Sequence, residues 1–268
     1  MTGGDGLTGG SRTLRPMNRA ERLGAILQAL SERGNVDVED LTRDLDVSPA
    51  TVRRDLQALH EQRLLERTHG GAVAIGGLYE LPMRYRSSRQ REEKLRIAAA
   101  ALRHVRGGMS IALTGGTTTT EIGRAVVHLE ELTVVTNAIN IAAELAVRSN
   151  IRLIVTGGVA RSASFELVGP LAESVLAQLH VDLAFVGVDG IGARTGLSTH
   201  REIEAHTNRV LAERAKQVIA VADGTKVGTT ALARICGADE IDRLITTADA
   251  DPDERQALAA LGVDVEVV

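Results

Sequence analysis

Between residues 18 and 75, three short runs of helically spaced apolar residues precede a glycine-centred hairpin pattern; beyond residue 91, strand-like runs alternate with helix-like ones. These two observations predict an α/β protein: an N-terminal winged helix-turn-helix followed by a mostly parallel, Rossmann-like α/β domain. A length of 268 residues agrees, since one domain typically takes about 150. The predicted division is a disordered tail over 1–17, a winged helix-turn-helix over 18–75, a linker over 76–90 and an α/β domain over 91–268.

Each element has a local cause. The opening stretch MTGGDGLTGGSRTLRP is Gly-rich and polar and has no apolar signal core, which predicts a floppy tail. From Asn18 to Arg33, Leu23, Ile26, Leu27 and Leu30 recur at helical spacing and Gly34 supplies a stop. A second short helix has Asp37 as its expected cap and Val38, Leu41 and Leu45 on one face. The third starts at Ser48-Pro49, with serine as N-cap and proline where a missing N–H costs nothing, and should run to about Gln62. Leu65 to Ile75 reads as two short strands joined at Gly70-Gly71. After Pro82 and the arginines Arg84, Arg86, Arg89 and Arg91 the pattern changes. Strand candidates are 109–113, 132–135, 152–155, 183–187, 218–222 and 243–247; helix-like stretches cover 120–129, 138–148, 170–179 and 203–215. In sheets of this kind ligands bind at the carboxyl ends of the strands, so chemistry is expected in the loops that follow them.

Composition narrows the function classes. With 44% hydrophobic and 25% charged residues the chain is an ordinary globular one, which excludes a disordered, collagen-like or membrane-spanning protein. No apolar run approaches the roughly 20 residues of a membrane helix. Tyr79, Tyr85, Phe165 and Phe185 are all the aromatics, too few for base-stacking platforms. The lone Cys236 allows no internal disulfide and fits a reducing compartment, so a cytoplasmic protein is expected. Net charge is −4, but residues 1–89 carry 13 arginines against 12 acids, whereas 90–268 carry 18 basic against 23 acidic residues.

On the third helix Val52, Leu56 and Leu59 point one way, while Ala50, Arg53, Arg54 and Gln57 share the opposite sector. Such a face suits a major groove, because arginine pairs with guanine and glutamine with adenine; a solvated charged face is the alternative. The preceding helix and the following wing favour DNA. Arg67 and His69 beside the wing turn suit phosphates or the minor groove, although His69 reads equally as a turn residue.

The segment DLDVSPATVRRDLQALHEQRLLERTHGGAV closely resembles the DeoR family of bacterial transcriptional regulators in its Val-Ser turn, its Thr-Val-Arg-Arg-Asp-Leu helix and its Arg-x-His-Gly-Gly-Ala wing. The resemblance implies DNA contacts at Thr51, Arg53 and Arg54; Ser48, Ala50, Gln57, Arg67 and His69 complete the expected DNA-binding set. Arg33 and Arg43 read as phosphate contacts or as plain surface arginines. Arg63 stands where the family usually has a helix-ending glycine, which bears on the cap geometry there.

In the second half, SIALTGGTTTTEIG places glycines and four threonines between a strand and a helix, as a phosphate cradle does and as a Thr-rich helix cap also does. It is neither a Walker A loop nor a dinucleotide fingerprint. Further loops converge on the same edge, giving an expected effector set of Gly116, Thr117, Thr118, Thr119, Thr136, Asn137, Gly157, Gly158, Asp189 and Lys226. Lys226 would face negative charge and Asp189 would accept hydroxyl hydrogens. Taken singly, Thr136-Asn137 also reads as a cap and the Gly157-Gly158 and Asp189-Gly190 pairs as turns.

The DeoR resemblance runs to about Lys226. It implies a C-terminal domain similar in fold to ribose-5-phosphate isomerase that senses sugar phosphates or related metabolites, here expected to be a phosphorylated sugar, although Thr114 stands where the family more often has aspartate. The expectation is a repressor binding double-stranded operator DNA as a homodimer or homotetramer, with no cofactor, metal or membrane partner. Asp189, Glu204 and Lys226 also look like an acid–base set, so a sugar-phosphate isomerase with an appended DNA-binding domain is the alternative. The seven histidines are scattered, with no paired spacing for zinc, and Cys236 reads as a buried small hydrophobe.

Overall fold

The computed structural model describes residues 17–75, 82–87 and 90–268. The expected tail, apart from Met17, and parts of the expected linker, 76–81 and 88–89, lie outside the described residues. The chain divides into two compact units, 1–78 and 79–268.

The first unit contains α1 (Arg19–Arg33), β1 (Asn35–Asp37), α2 (Val38–Leu45), α3 (Pro49–Glu61), β2 (Glu66–Arg67) and β3 (Gly71–Val73). Asn18 caps α1 reciprocally with Glu21, and Gly34, in the left-handed region, ends it. Ser48 caps α3 by accepting from Thr51 N. The residues spaced for burial are buried: Ile26, Leu27, Leu30, Val52, Leu56 and Leu59 are fully enclosed. Asp37 stands at the start of α2 but makes no side-chain cap, because it belongs to a strand the sequence did not announce. The Val38 N–H donates instead to Gly70 O at 2.9 Å. β1 makes the sheet three-stranded, in the order β1-β3-β2. The wing turn falls over 68–70, and Gly71 lies within β3, where a Cβ would come 1.9 Å from Val36 O. That glycine is needed for close approach of two backbones.

The second unit contains α4 (Met83–Arg86), α5 (Arg91–Leu102), β4 (Ser110–Leu113), α6 (Thr117–Ala125), β5 (Leu132–Thr136), α7 (Ile139–Leu145), β6 (Ile151–Val155), β7 (Val159–Ala160), β8 (Leu167–Val168), α8 (Pro170–Leu176) and β9 (Val181–Gly187). It continues through β10 (Gly190–Gly192), β11 (Gly196–Thr199), α9 (Glu202–Glu213), β12 (Ala215–Val221), β13 (Ala233–Cys236), β14 (Arg243–Thr246), α10 (Pro252–Ala260) and β15 (Asp264–Val267). Seven strands pair in parallel in the order β15-β14-β12-β9-β4-β5-β6. All six sequence-derived strand candidates are in this sheet. Two buried clusters cover its faces: Ala112, Ala184, Val186 and Ala220 point to one, and Ile111, Leu113, Leu183, Phe185 and Ile219 to the other. This is why the strands read as continuous apolar runs.

Two differences from the sequence reading bear on the site. Residues 82–87, expected in the linker, pack as part of the α/β unit: Met83 N donates to Ala163 O at 2.7 Å, and Met83 and Tyr85 are buried. A small antiparallel sheet, β10-β11-β13, sits beside the main one. The chain runs outward from β4 through β5 to β6, then returns to β9 on the other side of β4. The carboxyl ends of β4 and β9 therefore form a switch point, where adjacent connections leave in opposite directions and a crevice opens.

Candidate functional site

The first unit offers a face at the start of α3. Ser48, Ala50, Arg53 and Arg54 are exposed, and Thr51 and Gln57 are half-buried. Neither Arg53 nor Arg54 has a partner among the described residues. On the wing, Arg67 and His69 are exposed. Arg67 Nη1 donates to Gln57 Oε1 at 2.9 Å, and Gln57 Nε2 donates to Glu61 Oε1 at 3.0 Å, so helix and wing are tied together through the glutamine. Arg33 pairs with Asp44 at 3.5 Å and Arg43 with Asp40.

Asp55 had no part in the sequence reading, and the cap at Arg63 was left open there. Asp55, on the inner side of α3, is 2% exposed and accepts from Arg22 Nε at 2.8 Å, with Arg19 at 3.7 Å. It joins α3 to α1 and so sets the angle at which the arginine face is presented. Arg63 adopts a φ of 58°, with its N–H on His60 O at 2.8 Å and Leu64 N on Leu59 O at 3.0 Å. This is a complete left-handed helix stop built on an arginine, in the place where a glycine would be unstrained.

The second unit has a cleft at its switch point, about 810 Å³ including the open mouth. Its walls come from the ends of β4 (Gly115 to Thr118), β9 (Gly187 to Asp189) and β12 (Val221 to Asp223, Thr225, Lys226). The β7–β8 loop adds Ser164 and Glu166, α9 adds Glu204, and the α4–α5 segment adds Arg86, Gln90 and Lys94. Gly116, at φ 136°, turns the chain into α6. Of the four threonines that follow, Thr117 and Thr118 line the cleft, while the hydroxyls of Thr119 and Thr120 donate back to Gly116 O at 3.0 and 2.6 Å. A Cβ on Gly187 would lie 3.1 Å from Gly115 O, so the ends of β4 and β9 touch backbone to backbone.

Of the ten expected effector residues, Gly116, Thr117, Thr118, Asp189 and Lys226 line this cleft, and Thr119, Thr136, Asn137, Gly157 and Gly158 do not. Thr136 is enclosed, its hydroxyl donating to Leu113 O at 2.8 Å and accepting from Ala138 N at 3.1 Å. Asn137 is equally buried and donates to Asn208 Oδ1 at 3.1 Å. Gly157 and Gly158 take φ values of 70° and 121° at the bend into β7. Thr114 is also outside the cleft: its hydroxyl donates to Gly115 O and accepts from Gly187 N at 3.0 Å, bracing the ends of the two strands.

Arg86, Lys94 and Glu166 line the cleft but were not foreseen as site residues. The only advance signal for Arg86 was the arginine-rich stretch taken for a boundary. Arg86 Nη1 donates to Asp189 Oδ1 at 3.1 Å, Lys94 Nζ donates to Arg86 O at 2.9 Å, and Thr199 Oγ1 donates to Asp189 Oδ2 at 2.9 Å. Burial pushes the Asp189 carboxyl up, but Arg86 first, then His200 and Lys226, and the Thr199 hydroxyl outweigh it, so it stays below its ordinary value. Burial and then the neighbouring Glu204 charge push Glu166 up to about 8. Glu204 is itself held by Arg161 and the Ser164 hydroxyl. The cleft thus brings together the start of α6, the cationic side chains of Arg86, Lys94 and Lys226, and the acids Asp189, Glu166 and Glu204.

Among the described residues no helix is long and apolar enough to cross a membrane, and no group of His, Cys, Asp or Glu could hold a metal ion. Cys236 is buried, and burial pushes its thiol up to about 12, so it is not a reactive thiolate.

Residues 22–76 match the model of the DeoR-like helix-turn-helix domain, and residues 89–248 match that of the DeoR C terminal sensor domain. The chain belongs to the DeoR family. The HTH-type transcriptional regulator GlpR of Haloferax volcanii is 35% identical over 92% of this DeoR-family chain and 96% of its own. The glycerol-3-phosphate regulon repressor of Escherichia coli is 30% identical over 94% of this chain and all of its own. The DeoR-family chain is therefore a DNA-binding transcriptional regulator and not an enzyme, since its relatives along nearly their whole length are regulators. Ribose 5-phosphate isomerase from Plasmodium falciparum overlays half of each chain at 15% identity and a TM-score of 0.37. That likeness is too distant to inform the site.

Proposed function

We propose that this regulator is a repressor that binds operator DNA as a homodimer or homotetramer through α3 and the wing, and that a phosphorylated sugar in the switch-point cleft controls it. The observation carrying this reading is the cleft itself: the start of α6 faces a space ringed by Arg86, Lys94 and Lys226, with acids deeper in for hydroxyl groups. Phosphate at the helix start and hydroxyls at the carboxylates is the arrangement a polyol phosphate needs. On the DNA side, Arg53 and Arg54 at the exposed start of α3 read base edges, Ser48, Ala50 and Thr51 border them, and Arg67 and His69 meet the backbone or minor groove. Gln57 must exchange its bonds to Arg67 and Glu61 before it can read a base. The regulated genes serve sugar or related carbon metabolism, as the name of the glycerol-3-phosphate relative suggests, and the protein works in the cytoplasm.

A sugar phosphate changes operator affinity only to the extent that it binds one conformation better, and operator DNA must alter sugar-phosphate affinity by the same factor. Two half-sites read by a dimer would be about 34 Å apart, or a multiple of that. In a gel-shift titration Arg54→Ala is expected to lose sequence-selective binding while a sugar phosphate still raises the melting temperature of the second unit. Selective binding by Arg54→Ala at full affinity would refute the assignment of α3.

A further inference from the structure

Glu166 lines the cleft, and as an acid it is not a group that would hold phosphate. It lies between β7 and β8 and is 4% exposed. It occupies the space left by Gly115: a Cβ there would fall 2.3 Å from Glu166 Cγ and 2.4 Å from its Oε1. The hydrogen bonds its carboxyl receives among the described residues come from one amide, Asn208 Nδ2, at long range, 3.3 and 3.5 Å from the two oxygens. Among the described residues no Lys or Arg is ion-paired with it, whereas Glu204, from the same helix as Asn208, is held by Arg161.

We propose that Glu166 acts as a neutral carboxylic acid that donates a hydrogen bond to an uncharged oxygen of the bound sugar, and so selects ligands with a hydroxyl or carbonyl there. This rests on the sugar-phosphate reading of the cleft. A carboxylate offers only acceptors, while a protonated carboxyl offers a donor and an acceptor and can recognise both halves of a hydroxyl. Burial and the charge on Glu204 keep the proton on Glu166 around neutral pH. Glycine at position 115 is what admits the carboxyl to the cleft. Among the described residues the charged groups acting on it are Glu204 from α9, Arg86 from α4, and Asp189 beyond β9; Arg161 in turn pairs with Glu204, and Arg86, His200 and Lys226 act on Asp189.

The test is isothermal titration of the full-length protein with ribose 5-phosphate and with fructose 6-phosphate at pH 7, 8 and 9. Over this range the phosphate of either probe is already dianionic. If only the protonated form donates, wild-type affinity falls several-fold from pH 7 to pH 9 as the raised carboxyl loses its proton. Glu166→Gln, which keeps a donor and an acceptor at every pH, should bind within about threefold of wild type at pH 7 and lose that dependence, while any contribution from the other groups remains in both proteins. Glu166→Leu, folded by circular dichroism, should bind about tenfold more weakly at pH 7. A wild-type pH profile matching that of Glu166→Gln would overturn the proposal, as would affinity that rises with pH and vanishes in Glu166→Gln. No binding of either probe to wild type would overturn the underlying sugar-phosphate reading instead.

Discussion

Removing the carboxylate of Asp55 should unfasten α3 without touching any of the residues proposed to meet DNA. Asp55 is 2% exposed and takes the Arg22 Nε–H at 2.8 Å, while Arg19, largely in solvent, approaches to 3.7 Å. Taking one member from a buried pair typically costs 3–5 kcal/mol, because the other charge is left without compensation. Arg22 keeps some access to water, at 14% side-chain exposure, so Asp55→Ala is placed at the lower end, about 3 kcal/mol. Asp55→Asn retains an acceptor and should cost about half as much. A unit of this size has only about 5 kcal/mol or a little more to lose. The assay is amide hydrogen exchange on the full-length protein, comparing Leu56 and Leu59 in α3 with Ile111 and Phe185 in the sheet. Protection should drop about 100-fold or more in α3 and stay unchanged in the sheet, with operator affinity falling in parallel. Replacing both partners, Arg22→Met with Asp55→Leu, should restore protection, since an apolar pair can substitute for a buried ionic one. Unchanged exchange at Leu56 and Leu59 in Asp55→Ala would refute the claim that this pair orients α3.

Arg63→Gly should stabilise the first unit by about 1 kcal/mol, seen as a higher urea midpoint, because the φ of 58° strains an arginine and not a glycine. A lower midpoint would show that the Arg63 side chain makes a compensating contact. Gly71→Ala should destabilise the same unit by about 2–3 kcal/mol and weaken operator binding, since the added Cβ meets the Val36 carbonyl at 1.9 Å in a backbone that cannot yield cheaply; the urea midpoint of that unit reads this. The raised Glu166 value gives a pH prediction for stability. Its folded-state value, about 8, lies above the ordinary 4.5, so the folded state holds the proton more tightly. Its contribution is fully present below pH 4.5 and is lost as pH rises through about 8. The melting temperature of Glu166→Gln should therefore gain on wild type from pH 5 to pH 8 and level off above; a constant difference would contradict a buried, protonated Glu166.

The sequence by itself determined whatever depends on near neighbours along the chain. Asn18 with Glu21, Ser48 with Pro49, and the spacing of Val52, Leu56 and Leu59 set the first-unit helices, because caps and amphipathic faces are local physics. Apolar runs marked six of the seven parallel strands, since a sheet covered on both faces leaves no polar alternation; β15, an edge strand reading Asp-Val-Glu-Val, had no such signature. The glycines and threonines after β4, and Asp189 and Lys226, were legible because strand ends followed by small and polar residues are where such sheets bind ligands. Thr136 and Asn137 satisfied the same pattern yet turned inward to hold backbone and a neighbouring amide. Only the tertiary structure brought Arg86, Lys94 and Glu166 to that edge, from elements far away in the chain, and gave Arg22 to Asp55. The division has one physical reason: hydrogen-bonded turns and hydrophobic periodicity are encoded within a few residues, whereas which charge is buried beside which is settled by packing across long loops. Protonation follows from that packing, and nothing in the sequence around Glu166 announces that it should keep its proton.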